Sequence, residues 1–253
     1  MYFEKIYATY NYDFDKNRTL KPMTVMNFLQ DISTEHFETA TAHVSKDILN
    51  GLWVIVEWHI QFKQLPQHAA PINVKTIPTY FRKFIAYRDY IIEDSAGNPL
   101  ATGMSKWAYI DPVSRRQSNL PKLLNEIFSV PEDADKPAKL EFETLNPDMA
   151  KQPDYEVVSV YSDLDVNCHV NNVTYIRWAI DALGSGFMDQ ATLTELKVNF
   201  KREVFEGETV IVETYKKEIA HADQRSTEAI TIHEIKSNTG ETCVKLQMNW
   251  TLI

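Results

Sequence analysis

The sequence predicts an α+β protein made of one unit used twice, each copy a long helix laid on an antiparallel sheet, and three observations carry that reading. Asp13-Phe14-Asp15-Lys16-Asn17 recurs as Asp163-Leu164-Asp165-Val166-Asn167. Ten residues beyond each start, at Met23 and at Val173, opens an apolar stripe at helical spacing. Outside these stripes strand signals dominate, several alternating with the period of two expected of a sheet with one buried face. Two such sheets joined edge to edge would hide their strand edges and make an intrachain pseudo-dimer.

In the first copy, Pro22 suits the first helical position, and the stripe runs through Val25, Phe28, Leu29, Ile32 and Phe37. Strands are expected at 53–62, 74–79, 86–93 and 103–110. Residues 111–154 then hold six of the eleven prolines and the acidic stretch Glu132-Asp133-Ala134-Asp135, a connecting composition, within which 120–128 reads as a short helix packed across the surface. In the second copy a strand is expected at 155–161. Asn171 is a plausible helix cap, and Val173, Ile176, Ile180 and Leu183 form the stripe in steps of 3, 4 and 3. Strands follow at 193–201, 208–216, 227–235 and 243–252. Ile60-Gln61-Phe62-Lys63 matches Val198-Asn199-Phe200-Lys201, and Trp107 follows Gly97 by ten residues as Trp250 follows Gly240. The expected division is an N-terminal domain over 1–130, a linker over 131–154 and a C-terminal domain over 155–253.

Composition removes several function classes. The 253 residues are 44% hydrophobic and 24% charged, with 7 Gly and 11 Pro, which fits an ordinary globular chain and not a disordered or collagenous one. The longest apolar run, 52–56, is far short of the roughly 18 residues that cross a bilayer, and the N-terminus lacks a signal-peptide layout, so a soluble, unexported protein is expected. Cys168 and Cys243 are too few for a disulfide scaffold or a zinc site, and free thiols fit a reducing cytoplasm. Residues 1–140 carry sixteen basic against sixteen acidic side chains and 141–253 ten against nineteen, so the formal charge of −9 sits in the second half. Nucleic acid is a poor partner for such a chain. Local basic clusters in the neutral half, Arg82-Lys83 with Arg88 and Arg115-Arg116 with Lys122, are the places where an acidic partner could approach.

The chemistry concentrates in Asp165-Val166-Asn167-Cys168-His169-Val170-Asn171-Asn172. If 163–169 is extended, Asp165, Asn167 and His169 share one side and Val166 and Cys168 the other, just before a helix start whose N–H groups could hold an oxyanion. That set suits acyl transfer. A capped turn would explain Asp and Asn equally well. Copy one keeps Asp15 and Asn17 but has Thr19 in place of His169 and Leu65 in place of Glu203. A cap alone gives no reason for that asymmetry. The remaining histidines (His36, His43, His59, His68, His221 and His233) show no metal-like spacing.

The run from Asp163 to Trp178, together with Phe200-Lys201-Arg202-Glu203, resembles the fatty acyl-acyl carrier protein (ACP) thioesterases of plants and bacteria, and the likeness extends over essentially the whole chain. The resemblance implies two tandem hotdog domains hydrolysing the thioester of a long-chain acyl group on ACP to a free fatty acid, with no cofactor and no metal. It assigns catalysis to Asp165, Asn167, His169 and Glu203 and the acyl pocket largely to the first domain. Val204 stands where an older reading of the family put a nucleophilic Cys, which leaves a carboxylate mechanism, either an activated water or direct attack by Asp165. Met26, Phe28 and Trp58 are candidates for an acyl tunnel, and Arg82, Lys83 and Arg88 for the ACP dock. An acyl-CoA thioesterase on the same fold, or a non-catalytic acyl-carrier-binding module, are the alternatives, and pairing into a homodimer stays open.

Overall fold

A computed structural model describes residues 2–220 and 227–252; His221 lies outside them. The chain divides into two compact units, Met1–Lys139 and Leu140–Ile253. In the first, β1 (Phe3–Tyr7) precedes helix α1 (Pro22–Thr41) and strands β2 (Leu52–Phe62), β3 (Ile72–Arg82), β4 (Ile85–Asp94) and β5 (Pro99–Ile110), followed by the short helix α2 (Leu123–Ile127). The second holds β6 (Ala150–Lys151), β7 (Tyr155–Val158), helix α3 (Asn172–Met188), β8 (Ala191–Phe200), β9 (Thr209–Ala220), β10 (Thr227–Ser237) and β11 (Thr242–Leu252). All strand pairs inside the units are antiparallel. The first sheet has the order β1-β3-β4-β5-β2, and the second repeats it as β7-β9-β10-β11-β8, with β6 also on β9. Each unit is the expected hotdog, a long helix against an antiparallel sheet.

The repeat governs local structure too. Gly97 and Gly240 both have φ +84° in the turns joining β4 to β5 and β10 to β11, a left-handed conformation that glycine adopts without steric cost. In α1 the fully buried stripe is Val25, Leu29, Ile32 and His36, with Pro22 at the start as expected, while Phe28 and Phe37 are only partly buried. Helix α3 is capped by Asn171, whose side chain accepts from the Val173 N–H at 3.0 Å. Its buried face is Val173, Tyr175, Ile176, Trp178 and Ala179, rotated from the expected stripe, so that Ile180 and Leu183 are only half-buried. Gly184, at φ +74°, breaks the helix before its last turn. The segment at 120–128 does not simply cross a surface: Leu124 and Phe128 are fully buried and pack with Phe81, Ala86 and Val130. None of the helices in the described residues is long and apolar enough to cross a membrane.

Gly51, which leads into β2, has a packing reason for its identity. A Cβ there would lie 2.3 Å from the ring of Tyr109, whose hydroxyl accepts the Gly51 N–H at 2.7 Å. Tyr109 is 1% exposed and edge-packed on Trp53, so its ring has little room to move. Gly51→Ala is expected to lower the unfolding free energy by about 1–3 kcal/mol, the usual cost of overpacking, as a shifted urea midpoint.

Candidate active site

The Asp-x-Asn motif makes the same closed turn in both units. Phe14 bridges Leu20, and Leu164 bridges Val170. The Asp15 N–H donates to the Thr19 carbonyl at 2.9 Å, as the Asp165 N–H does to that of His169. The Asp15 carboxylate accepts the Asn17 N–H at 2.9 Å, and that of Asp165 accepts the Asn167 N–H at 2.8 Å. Arg18 and Cys168 both take φ +63°. These bonds correct the expectation of an extended 163–169. The chain turns back on itself because the Asp side chain binds the N–H two residues on and one residue enters the left-handed region. Asp165 and His169 meet across the neck of this turn and not by alternation along a strand. Asn167 and Cys168 are exposed at its tip, and both Cys168 and Cys243 are free thiols.

A turn common to both units explains Asp165 and Asn167 without chemistry. It does not explain His169 or Glu203. His169 Nδ1 lies 3.6 Å from Asp165 Oδ1, and its Nε2 lies 3.6 Å from Glu203 Oε1, placing the imidazole between two carboxylates. Asp165 and His169 side chains are each 17% exposed and Glu203 31%, so the cluster is sheltered yet open to a substrate. Both contacts are longer than well-formed hydrogen bonds, a spacing that catalytic groups commonly tighten once substrate is bound. Asn167 Nδ2 reaches the other Asp165 oxygen at 3.3 Å.

Glu203 reaches His169 through the backbone. The Val170 N–H donates to the Val204 carbonyl at 2.8 Å, so each of the two side chains sits one residue from a single inter-segment hydrogen bond. On the near side the Lys201 and Arg202 N–H groups share the Cys243 carbonyl, and the Arg202 guanidinium pairs with Glu208 at 2.8 Å. The loop is further tied to α3 by the ion pair of buried Asp163 with Arg177. In unit one the corresponding bond runs from the Leu20 N–H to the Pro66 carbonyl at 2.9 Å, with Leu65 buried beside it. That scaffold keeps Asp15 but has Thr19 in place of the imidazole and Leu65 in place of the second carboxylate.

The helix N-terminus is already occupied. The Asn171 N–H donates to the Asp163 carbonyl at 2.8 Å and the Val173 N–H to the Asn171 side chain, so these two groups are not the open oxyanion donors expected there. Among the tunnel candidates, Met26 and Trp58 are buried inside unit one. Phe28, two residues along the helix and so about 200° around it, stacks instead on Tyr7 of β1 with ring centres 4.3 Å apart and cannot share their surface. Arg82 and Lys83 are exposed at the turn between β3 and β4. Arg88 is not available to a surface partner: it is 7% exposed and its guanidinium meets His36 Nδ1 at 3.0 Å and Thr76 Oγ1 at 3.1 Å. The period of two along β4, with Ala86, Arg88, Tyr90 and Ile92 all buried, turns it inward.

Fold and site together define a tandem hotdog protein whose second copy sets an imidazole between two carboxylates at the shared turn, where the first has Thr19 and Leu65. Residues 1–128 match the acyl-ACP thioesterase N-terminal domain and residues 147–252 the acyl-ACP thioesterase C-terminal domain. The chain belongs to the acyl-ACP thioesterase family. It is 26% identical over 220 residues to a chloroplastic palmitoyl-acyl carrier protein thioesterase of Arabidopsis thaliana, covering 79% of this chain and 52% of that protein. It is also 26% identical over 221 residues to a chloroplastic oleoyl-acyl carrier protein thioesterase of the same plant, covering 79% and 59%. The chain thus spans between half and three-fifths of these relatives' lengths. The 12:0-ACP thioesterase of Umbellularia californica shares the fold over 98% of this chain and 96% of its own, with a TM-score of 0.80 at 16% identity.

Proposed function

We propose that the protein hydrolyses acyl-ACP thioesters to free fatty acid and ACP at the cluster of Asp165, Asn167, His169 and Glu203. The observation that carries this reading is the asymmetry of the repeat. Matching turns are present in both units, but at this turn the second sets an imidazole between two carboxylates where the first has Thr19 and Leu65. Both Asp165 oxygens accept bonds inside the turn, Oδ1 from the Asn167 N–H and Oδ2 from the Asn167 side-chain amide, which makes the carboxylate a poor nucleophile, and Oδ1 also faces His169, which suits it to orienting the ring. The attacking group is then a water whose proton passes to the Glu203–His169 pair. Asn167 Nδ2 polarises the thioester carbonyl, the oxyanion collapses with cleavage of the carbon–sulfur bond, and the proton taken from water returns to the pantetheine thiolate. The cytoplasmic setting and ACP as the partner belong to the same reading, with exposed Arg82 and Lys83 as the residues that meet the acidic carrier.

The test is hydrolysis of a panel of medium- and long-chain acyl-ACP and acyl-CoA thioesters. Release from acyl-ACP in clear preference to acyl-CoA is expected. Activity confined to CoA esters would transfer the protein to the acyl-CoA reading, and folded protein that binds acyl-ACP without turnover would make it a carrier-binding module.

A further inference from the structure

A second difference between the copies lies one shell behind the cluster. Tyr175, in the first turn of α3, is 2% exposed, and its hydroxyl accepts the backbone N–H of Val204 at 3.0 Å. Val204 is fully buried, so this N–H has no route to water. The ring is held edge-on by Trp178 and Phe200, at centroid distances of 5.4 and 6.0 Å, and burial raises the phenol above its ordinary value, which keeps it neutral. In unit one the positions corresponding to Tyr175 and Val204 are Val25 and Pro66. Proline has no N–H to satisfy and valine no hydroxyl to satisfy it, while the carbonyl bond to the turn is retained as Leu20 to Pro66. Hydroxyl and amide are present together or absent together, and they are present in the copy that carries Glu203.

We infer that Tyr175 is a positioning residue: by holding the Val204 N–H it fixes the backbone from which Glu203 reaches His169. The inference rests on the hydrolase reading for its kinetic arm alone. With the hydroxyl removed, the buried amide seeks another acceptor, and the segment that moves carries Glu203 away from the 3.6 Å contact. A shift of about 1 Å at a reacting group costs up to about 100-fold in rate.

The experiment compares wild type, Tyr175→Phe and the double variant Tyr175→Phe/Val204→Pro, which copies the pairing of unit one by removing donor and acceptor together. Tyr175→Phe is expected to lower kcat for acyl-ACP by about 10- to 100-fold with KM nearly unchanged, and the double variant to recover at least about tenfold of that loss. In parallel, NMR-detected hydrogen exchange at the Val204 amide should quicken in Tyr175→Phe while core amides of β10 and β11 stay protected. Tyr175→Phe with wild-type kcat, a loss carried by KM, or a Val204 amide as protected as before overturns the assignment. Should the double variant fail to fold, Tyr175→His, which restores a ring-borne acceptor, takes its place as the rescue. An inactive wild type would sink the hydrolase reading, and the exchange measurement would still decide the role of Tyr175.

Discussion

Asp165→Asn and Glu203→Gln are each expected to lower kcat for acyl-ACP by about 10²- to 10⁴-fold, the range typical of losing a general acid–base group or the charge that supports it. The asparagine variant is the more informative of the two. Its amide oxygen can still accept the Asn167 N–H, the bond of 2.8 Å that closes the turn, so the loop is kept while the charge 3.6 Å from His169 and the 3.3 Å bond from Asn167 Nδ2 are lost. Asp15→Asn makes the same substitution in the same turn of unit one and should leave kcat near wild type. Steady-state kinetics of the three variants, with circular dichroism to confirm folding, tests the claim directly. Equal losses at Asp15 and Asp165 would mean that the turn and not the charge matters. A single turnover in ¹⁸O-labelled water adds the chemical detail: label only in the fatty acid supports the activated water, whereas label in a peptide containing Asp165 or Glu203 means that a carboxylate attacked the carbonyl.

The sequence makes the two-copy plan legible because the repeat is read in pairs and needs no single strong motif. Asp13 and Asp163, Gly97 and Gly240, and Trp107 and Trp250 each mark the same place in the fold. The meeting of His169 with Glu203, 34 residues apart, is legible only through the comparison with Thr19 and Leu65. What escaped was local geometry. Alternation assumes an extended backbone, and it cannot register that a side chain closes a turn on itself, as Asp165 does, or that Cys168 enters the left-handed region. Arg88 differs again, since a cluster of basic residues suggests a charged surface while the strand beneath it alternates independently of charge. The apolar neighbours Ala86, Tyr90 and Ile92 carried the signal that places it inside. Tyr175 is hidden for a further reason: its role depends on an N–H that the one-letter sequence shows only where proline removes it.

Stability should fall steeply with acid well before the carboxylates titrate. His233 is fully buried, with Thr214 Oγ1 at 2.9 Å from Nδ1 and Thr231 Oγ1 at 3.0 Å from Nε2, and burial pushes its pKa down to about 3. His36, 2% exposed, is pushed to about 4 by burial and then by the adjacent Arg88 charge. In the unfolded chain both titrate near 6.5. Below that value the unfolded state binds protons that the folded state refuses, so stability is complete above about pH 6.5 and declines as pH falls. Each histidine costs up to about 1.4 kcal/mol per pH unit, or roughly 2 kcal/mol on going from pH 7.5 to 5. The paired carboxylates act lower: Glu213, held below its usual range by Lys236, loses its contribution only as pH drops below about 4.5. Asp89 and Asp181, both raised by partial desolvation, act in the opposite sense, so urea unfolding at pH 7.5, 6.5, 5.5 and 5.0 reads the histidines against that background and the His233 variant separates them. His233→Gln, which can still bond both threonines but cannot take up a proton, should lie below wild type at pH 7.5 and lose less stability toward pH 5. An unchanged slope in that variant would mean that His233 is protonated in the folded protein as readily as in the unfolded one, which its buried position between two threonine hydroxyls opposes.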